Sequence, residues 1–422
     1  MAIYQILLTL LFIALPSILL LLLRSSYRTS KGAKHTLPPG PKKLPIIGNL
    51  HQILGPHPHQ IFYNLSQKHG PLMFLQLGSI PSVVVSSSEM AREVLKTHDL
   101  DLCSRPRLVA TDKYSYSSVD VSFSPYGEYW REMRKLFTVE LFGAKRAPIF
   151  RAIREDEMSK MIEAISRSSS SSSSAPINLS KTMVDLANNI ICRVALGKKY
   201  QEREAEDGKL QKIFNELQLM LCAFYVKDYF PSMGWIDKLR GLIGRLERNV
   251  RELDAFYEQL ILEHAGREST ARSDQEDVVD ALLRLSRDNK EHLTNDNIKR
   301  DFAMTWAVAE LIKNPELMKK AQNEVRTVVG PKGKVEEDDL PQLPYLKSVI
   351  KETFRLHPPS RYTHTRSDPT LLDRRIRCAA RMRVYVNAWA IGRDPGTWKD
   401  PEVFNPERFT GSAIDYKGMI LS

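Results

Sequence analysis

The chain has 422 residues, 42% hydrophobic and 26% charged, which is enough to bury a large core and excludes wholesale disorder. Its formal charge of +11 is concentrated in residues 360–383, where seven Arg, no Lys and two Asp supply +5; without the interleaved aromatics that stack on bases, this excess excludes a nucleic-acid surface. Four cysteines, Cys103, Cys192, Cys222 and Cys378, share no short spacing, which excludes a disulfide framework and a zinc site.

Residues 6–23 form an uncharged, nearly all-apolar run of eighteen, long enough with its flanks to span a membrane. Arg24, Arg28, Lys31 and Lys34 follow it and no Lys or Arg precedes it, so the positive-inside rule leaves the body on the cytosolic side. A cleaved signal peptide would open on a basic segment and carry a shorter apolar run. Residues 1–24 are read as a membrane anchor, residues 25–50 as a basic, proline-rich hinge, and residues 51–422 as the body. The hinge contains Leu37-Pro38-Pro39-Gly40-Pro41 and Ile47-Gly48-Asn49, and its prolines resist helix.

The body reads as mainly α with small β-sheets. Residues 71–77 and 82–86 suit two strands around a turn at 78–81. A serine-capped helix is expected over 88–97. Helical periodicity then covers 125–140, 145–166, 179–196, 209–224, 236–264, 274–287, 296–313, 315–329 and 344–357. Residues 166–174 are serine except for Arg167, and such a tract is expected as a solvated loop. No βαβ alternation and no internal repeat appears.

Three motifs carry chemistry. Trp130 and Arg134 stand four apart on an expected helix and so share a face. Glu352 and Arg355 place opposite charges one turn apart, ahead of Leu356-His357-Pro358-Pro359. Pro406-Glu407-Arg408-Phe409 lies near the end of the chain. Either charge spacing alone is weak, since Glu89 with Arg92 and Glu128 with Arg131 repeat the second in this chain.

Together with residues 383–395, Arg105-Pro106 and residues 414–418, these segments resemble the cytochrome P450 family, in its plant microsomal branch. The resemblance covers most of residues 1–359 and 383–418. It implies the cytochrome P450 fold, haem b as cofactor and an NADPH-cytochrome P450 reductase as electron donor. It also implies a single-pass place in the endoplasmic-reticulum membrane, in contact with its lipid, and O2-dependent oxidation of a small lipophilic plant metabolite. Trp130 and Arg134 would grip a haem propionate, as a guanidinium fork and an indole donor suit a carboxylate. Glu352, Arg355 and Arg408 would form a buried charge network that is structural, with no catalytic role. Residues 105–121 and 214–230 are candidate pocket regions, the second equally readable as core.

Three stretches depart from the family. Asn297-Ile298-Lys299 runs almost straight into Trp306-Ala307-Val308-Ala309-Glu310, so the family's oxygen-side helical turns are absent and Asp301 and Thr305 do not replace them. Residues 360–382 read as aberrant, without the apolar strand the family carries there, as a shifted frame or altered splice would leave them. No cysteine follows Arg408, where the family's thiolate loop lies; thiolate ligation is what favours O–O cleavage. Cys103, Cys192 and Cys222 read as small buried hydrophobes. The fold is therefore expected to be incomplete, its cysteine loop and final helix absent. The family reaction is that of a monooxygenase, while the literal chain reads as a catalytically dead, truncated or mis-spliced product with no axial metal ligand and haem not stably bound. A membrane-tethered interaction protein, the third reading, finds no exposed partner motif in its support.

Overall fold

The computed structural model describes residues 37–141, 147–170, 176–197, 210–265, 277, 279–280, 301–360, 363–366, 382–411 and 416. The expected anchor over residues 1–24 and almost all of the expected helix 274–287 lie outside them. Among the described residues no helix is long and apolar enough to cross a membrane.

Helix α1 (Pro58–His69) leads into strands β1 (Leu72–Leu77) and β2 (Ile80–Val85). The two strands pair antiparallel, with Leu77 opposite Ile80. Gly78 makes the turn between them at φ +61°, a left-handed conformation that glycine adopts without steric cost. Helix α2 (Ser88–Arg92) follows, capped by the Ser87 side chain, and passes into a π-type turn over Glu93–Thr97.

Strands β3 (Thr363–Arg366) and β4 (Arg383–Val386) complete a four-stranded sheet in the order β1-β2-β4-β3. β4 runs parallel to β2 and antiparallel to β3. Both faces of the central strands are covered, and valine supplies three of the six residues of β2 and two of the four of β4. On one face Val83, Val85, Val384 and Val386 pack with Ala91, Val94, Leu102 and Ile391. On the other, Met73, Leu75, Leu77, Val84 and Tyr385 pack with Leu50 and Phe62 of the preceding segment.

The described part of the proline-rich segment lies on this sheet. Pro39 O accepts from Phe74 N (2.9 Å), and Asn49 exchanges bonds with Gln76 through both its backbone N–H (2.6 Å) and its side-chain Oδ1 (2.8 Å). Gly48 permits that approach: it sits at φ +61°, and a Cβ there would meet Gln76 O at 2.1 Å.

Most remaining elements are helices. α3 (Val109–Tyr114), α4 (Glu128–Leu136), α5 (Ala147–Ser170), α6 (Leu179–Leu196), α7 (Leu210–Cys222), α8 (Trp235–Leu239) and α9 (Leu242–Ala265) come first. α10 (Asp301–Lys313), α11 (Pro315–Val329) and α12 (Pro344–Leu356) follow, then a short helix over Ala388–Ile391. α5 packs on α6, α6 on α10, and α10 and α11 on α12. Leu311, Ala321, Tyr345, Val349, Leu356 and Phe404 form the core beneath α12.

Several expectations need correction. Within 360–382, read as lacking an apolar strand, a polar one does form: β3 runs from Thr363 to Arg366. Edge position explains this, because an edge strand pairs its main chain on one side only and β-branched threonine suits a pleated backbone. Helix α5 continues through Ser170 instead of yielding to a loop at 166. Ser168 and Ser169 turn their hydroxyls back to the carbonyls of Ala164 (2.9 Å) and Ile165 (3.0 Å), which satisfies them inside the helix. The expected helix 236–264 is two, broken at Gly241, where φ is +70°. Of the cysteines, Cys192 is buried, Cys103 half-buried and Cys222 exposed, so the hydrophobe reading holds for the first and fails for the last.

Gly48→Ala is expected to cost about 1–3 kcal/mol through its positive φ and the close Gln76 carbonyl. The check is the urea midpoint, which should fall with an unchanged m-value.

Candidate functional site

The last turn of α12 carries Arg355, wholly buried, beside Glu352, also wholly buried. A guanidinium has five N–H donors, and here each finds an acceptor. Nε and Nη2 fork onto the Glu352 carboxylate at 2.8 and 2.7 Å. Nη1 donates to Gly392 O (2.5 Å) and Pro401 O (2.7 Å), and Nη2 also donates to Val403 O (3.1 Å). The face of Trp398 lies 5.4 Å from the guanidinium carbon.

Glu352 Oε1 further accepts from Asn405 N (2.8 Å) and from Arg408 Nε (3.3 Å). Arg408 then reaches the carbonyls of Lys399, Asp400 and Val403. Glu352, Arg355 and Arg408 are thus one cluster, and it fastens residues 392–408 to α12. The backbones touch: a Cβ on Gly392 would lie 2.2 Å from Arg355 O.

Trp130 and Arg134 share a face of α4, with the Arg134 guanidinium 5.1 Å from the indole ring centre. The Trp130 Nε1–H is given to Val121 O (3.0 Å). Arg134 is exposed, and among the described residues no carboxylate pairs with it.

The end of α12 also forms one wall of a cavity of about 1060 Å³. Leu50, Phe62, Leu108, Phe224, Trp306 and Trp389 supply much of its apolar lining. His357 lies in that wall, stacked on Trp306 with ring centres 4.1 Å apart and planes at 8°. Its Nε2 meets the buried carboxylate of Glu310 at 3.0 Å. A carboxylate only accepts, so Nε2 carries the proton. Burial lowers the His357 pKa although Glu310 pulls it the other way, so the imidazole is neutral at neutral pH.

Two charged groups that also line the cavity were not singled out from sequence. Asp228 takes the Val109 N–H on Oδ1 at 2.9 Å. Burial, opposed by the Val109 hydrogen bond and Arg383, lifts its pKa to about 6. Arg383, 7% exposed, donates Nη2 to Asp228 O at 2.6 Å and lies 5.3 Å from the Tyr229 ring centre. Asp228 falls inside the candidate pocket region 214–230. Arg383 opens the resemblance segment 383–395, and a charge directly before Val-Tyr-Val is the available signal.

Haem would need a cation for its propionates and a thiolate for its iron. Arg134 suits the first; the Trp130 donor is already spent. The described cysteines do not suit the second. Cys192 packs with Phe214 and Phe256. Burial, with Asp99 nearby, pushes the Cys103 thiol up, away from thiolate. Cys222 ends α7 and lines the cavity. Cys378 lies outside the described residues. Among the described residues the donor set fits a propionate and not the iron.

Two outcomes test this geometry. Glu352→Gln strands the buried Arg355 cation and is expected to cost about 3–5 kcal/mol, read as a fall in the urea midpoint. Asp228→Asn tests the carboxyl whose pKa folding raises. Such a group binds its proton more tightly in the folded chain, so the stability it contributes is present below the ordinary carboxylate range and is lost as pH rises through about 6. The asparagine keeps an acceptor for Val109 N–H. It is expected to flatten the stability profile between about pH 4 and pH 6, and to recover on the order of 2 kcal/mol at neutral pH.

Comparisons with known proteins agree with the geometry. The family model described as Cytochrome P450 matches residues 38–417. Cytochrome P450 71A9 of Glycine max is 46% identical over 411 residues, covering 91% of this chain and 79% of the relative. Strychnine-11-hydroxylase of Strychnos nux-vomica is 42% identical over 424 residues, covering 94% and 80%. Among solved structures, a zebrafish cytochrome P450 with progesterone superposes with a TM-score of 0.68 at 26% identity, covering 84% of each chain.

Proposed function

The chain belongs to the cytochrome P450 family, and on that premise we propose that its cavity receives a small lipophilic plant metabolite for the family's NADPH- and O2-dependent oxidation. The observation that carries this reading is the cavity itself, about 1060 Å³ and lined mostly by aromatic and aliphatic side chains, with polar groups such as His357, Asp228 and Arg383 among them, as in a small-molecule site. Haem b is the group that supplies oxygen activation in the family. Arg134 would hold one of its propionates, with Trp130 stacked against the guanidinium to orient it. An NADPH-cytochrome P450 reductase would deliver electrons, and the site of action would be the cytosolic face of the endoplasmic-reticulum membrane. The name of the Strychnos relative, a hydroxylase, supports oxygen insertion as the reaction type.

The chain's own residues do the binding. Trp306, Trp389, Phe62 and Leu108 exclude water from the ligand. The neutral ring of His357, fixed by Glu310 and Trp306, adds no charge of its own to that corner.

A second reading is favoured by one observation, the placement of Cys192 on α6, of Cys222 at the end of α7 and of Cys103 just past the short helix Asp99–Leu102, all upstream of Arg408. On it, these 422 residues by themselves bind lipophilic ligands without completing the oxidation. One experiment separates the two. The 422-residue chain is expressed with a plant reductase and supplied with NADPH, O2 and a panel of lipophilic metabolites. A product heavier by one oxygen atom, with a thiolate-type Soret band in the carbon-monoxide difference spectrum, supports the first. A folded chain whose Trp306 and Trp389 fluorescence is quenched by the panel, without band or product, supports the second. A folded chain that binds none of the panel contradicts both.

A further inference from the structure

The cavity wall carries a buried cation and a carboxylate that do not pair with each other. Arg383 reaches the main-chain carbonyl of Asp228, not its carboxylate, and no carboxylate lies within ion-pairing distance of Arg383 among the described residues. That one hydrogen bond leaves most of its five donors free of a protein acceptor among them. Asp228 has one oxygen committed to Val109 N–H, and no described donor takes the other. Both side chains line the 1060 Å³ cavity and also a smaller one of about 340 Å³ beside it.

Free donors and a free acceptor on adjoining residues, in a mostly apolar cavity, restrict the ligand. A carboxylate would meet Arg383 but also the Asp228 charge beside it. An ammonium would meet Asp228 but also Arg383. A neutral group that offers an acceptor and a donor on neighbouring atoms satisfies both and leaves no net charge buried. We propose that Arg383 and Asp228 form a donor–acceptor pair that recognises the amide group of a lipophilic ligand, Arg383 donating to the carbonyl oxygen and Asp228 accepting from the N–H. The proposal rests on the reading of this cavity as the substrate site.

The test uses the full 422-residue chain and three eight-carbon probes, octanamide, octanoate and octylammonium, titrated by calorimetry at neutral pH. Octanamide is expected to bind about tenfold or more tightly than either ion, the scale of a hydrogen bond to a charged group. Asp228→Asn, which leaves Arg383 as the only charge of the pair, is expected to make octanoate the preferred ion by about tenfold. Arg383→Gln is expected to make octylammonium the preferred ion by a similar factor. Each variant must gain affinity for one probe, so a chain that fails to fold cannot imitate the expected result. Equal binding of the three probes, a wild-type preference for either ion, or unchanged ranking in both variants overturns the proposal. Haem loading and turnover do not enter the measurement. Amide preference without turnover keeps this inference and counts against the oxygenase reading; turnover of lipophiles without amide preference does the reverse.

Discussion

The buried guanidinium of Arg355 is the interaction on which the rest of the structure depends. A cation removed from water is costly unless its charge and every donor are matched. Here Glu352 matches the charge, and the carbonyls of Gly392, Pro401 and Val403 take the remaining donors. Those carbonyls lie on an irregular segment with little regular hydrogen bonding of its own. The guanidinium supplies what a helix or sheet ladder would otherwise supply. Arg408 closes the arrangement from the other side through Glu352 Oε1.

Two consequences reach the cavity. Fixing residues 392–408 on α12 fixes the helix end, and the next residue, His357, stacks on Trp306 and bonds Glu310. Arg393 reaches back from the same segment to Leu356 O and lies 4.2 Å from the Trp389 ring centre. On the opposite side the sheet does the corresponding work. Ser79 binds Tyr229 O through its N–H and its hydroxyl, while Arg383 binds Asp228 O. The segment 226–230 is thereby held over the β1–β2 turn. The cavity lies between a charge-clamped segment and a sheet-clamped one, which accounts for an apolar space with charged residues at its wall.

Local pattern revealed much of this. The β1–β2 hairpin, α6, α11 and α12 follow directly from periodicity and turn residues, and the Glu352, Arg355 and Arg408 cluster follows from motif context. The failures share a physical character: each depends on a partner the local pattern does not name. Ser168 and Ser169 stay helical because of back-bonded hydroxyls. Thr363–Arg366 becomes a strand because β4 offers its edge. The Trp130 N–H, expected to reach a haem propionate, is given to Val121 O. Asp228 and Arg383 meet across 155 positions of sequence, a separation that no window over the chain would join. Gly241 did carry a local signal, a glycine inside a helical run, and a positive φ gave it effect.

The Arg355–Glu352 pair, not local propensity, orders the segment after β4. The amide of Asn405 reports on it directly, because its N–H is donated to Glu352 Oε1. Hydrogen–deuterium exchange of the wild type against Arg355→Lys measures it, since lysine keeps the charge but cannot fork onto the carboxylate and reach three carbonyls at once. Faster exchange is expected at Asn405 and across residues 392–409, with the β1–β2 hairpin amides unchanged. Unchanged protection at Asn405 and its neighbours would contradict it.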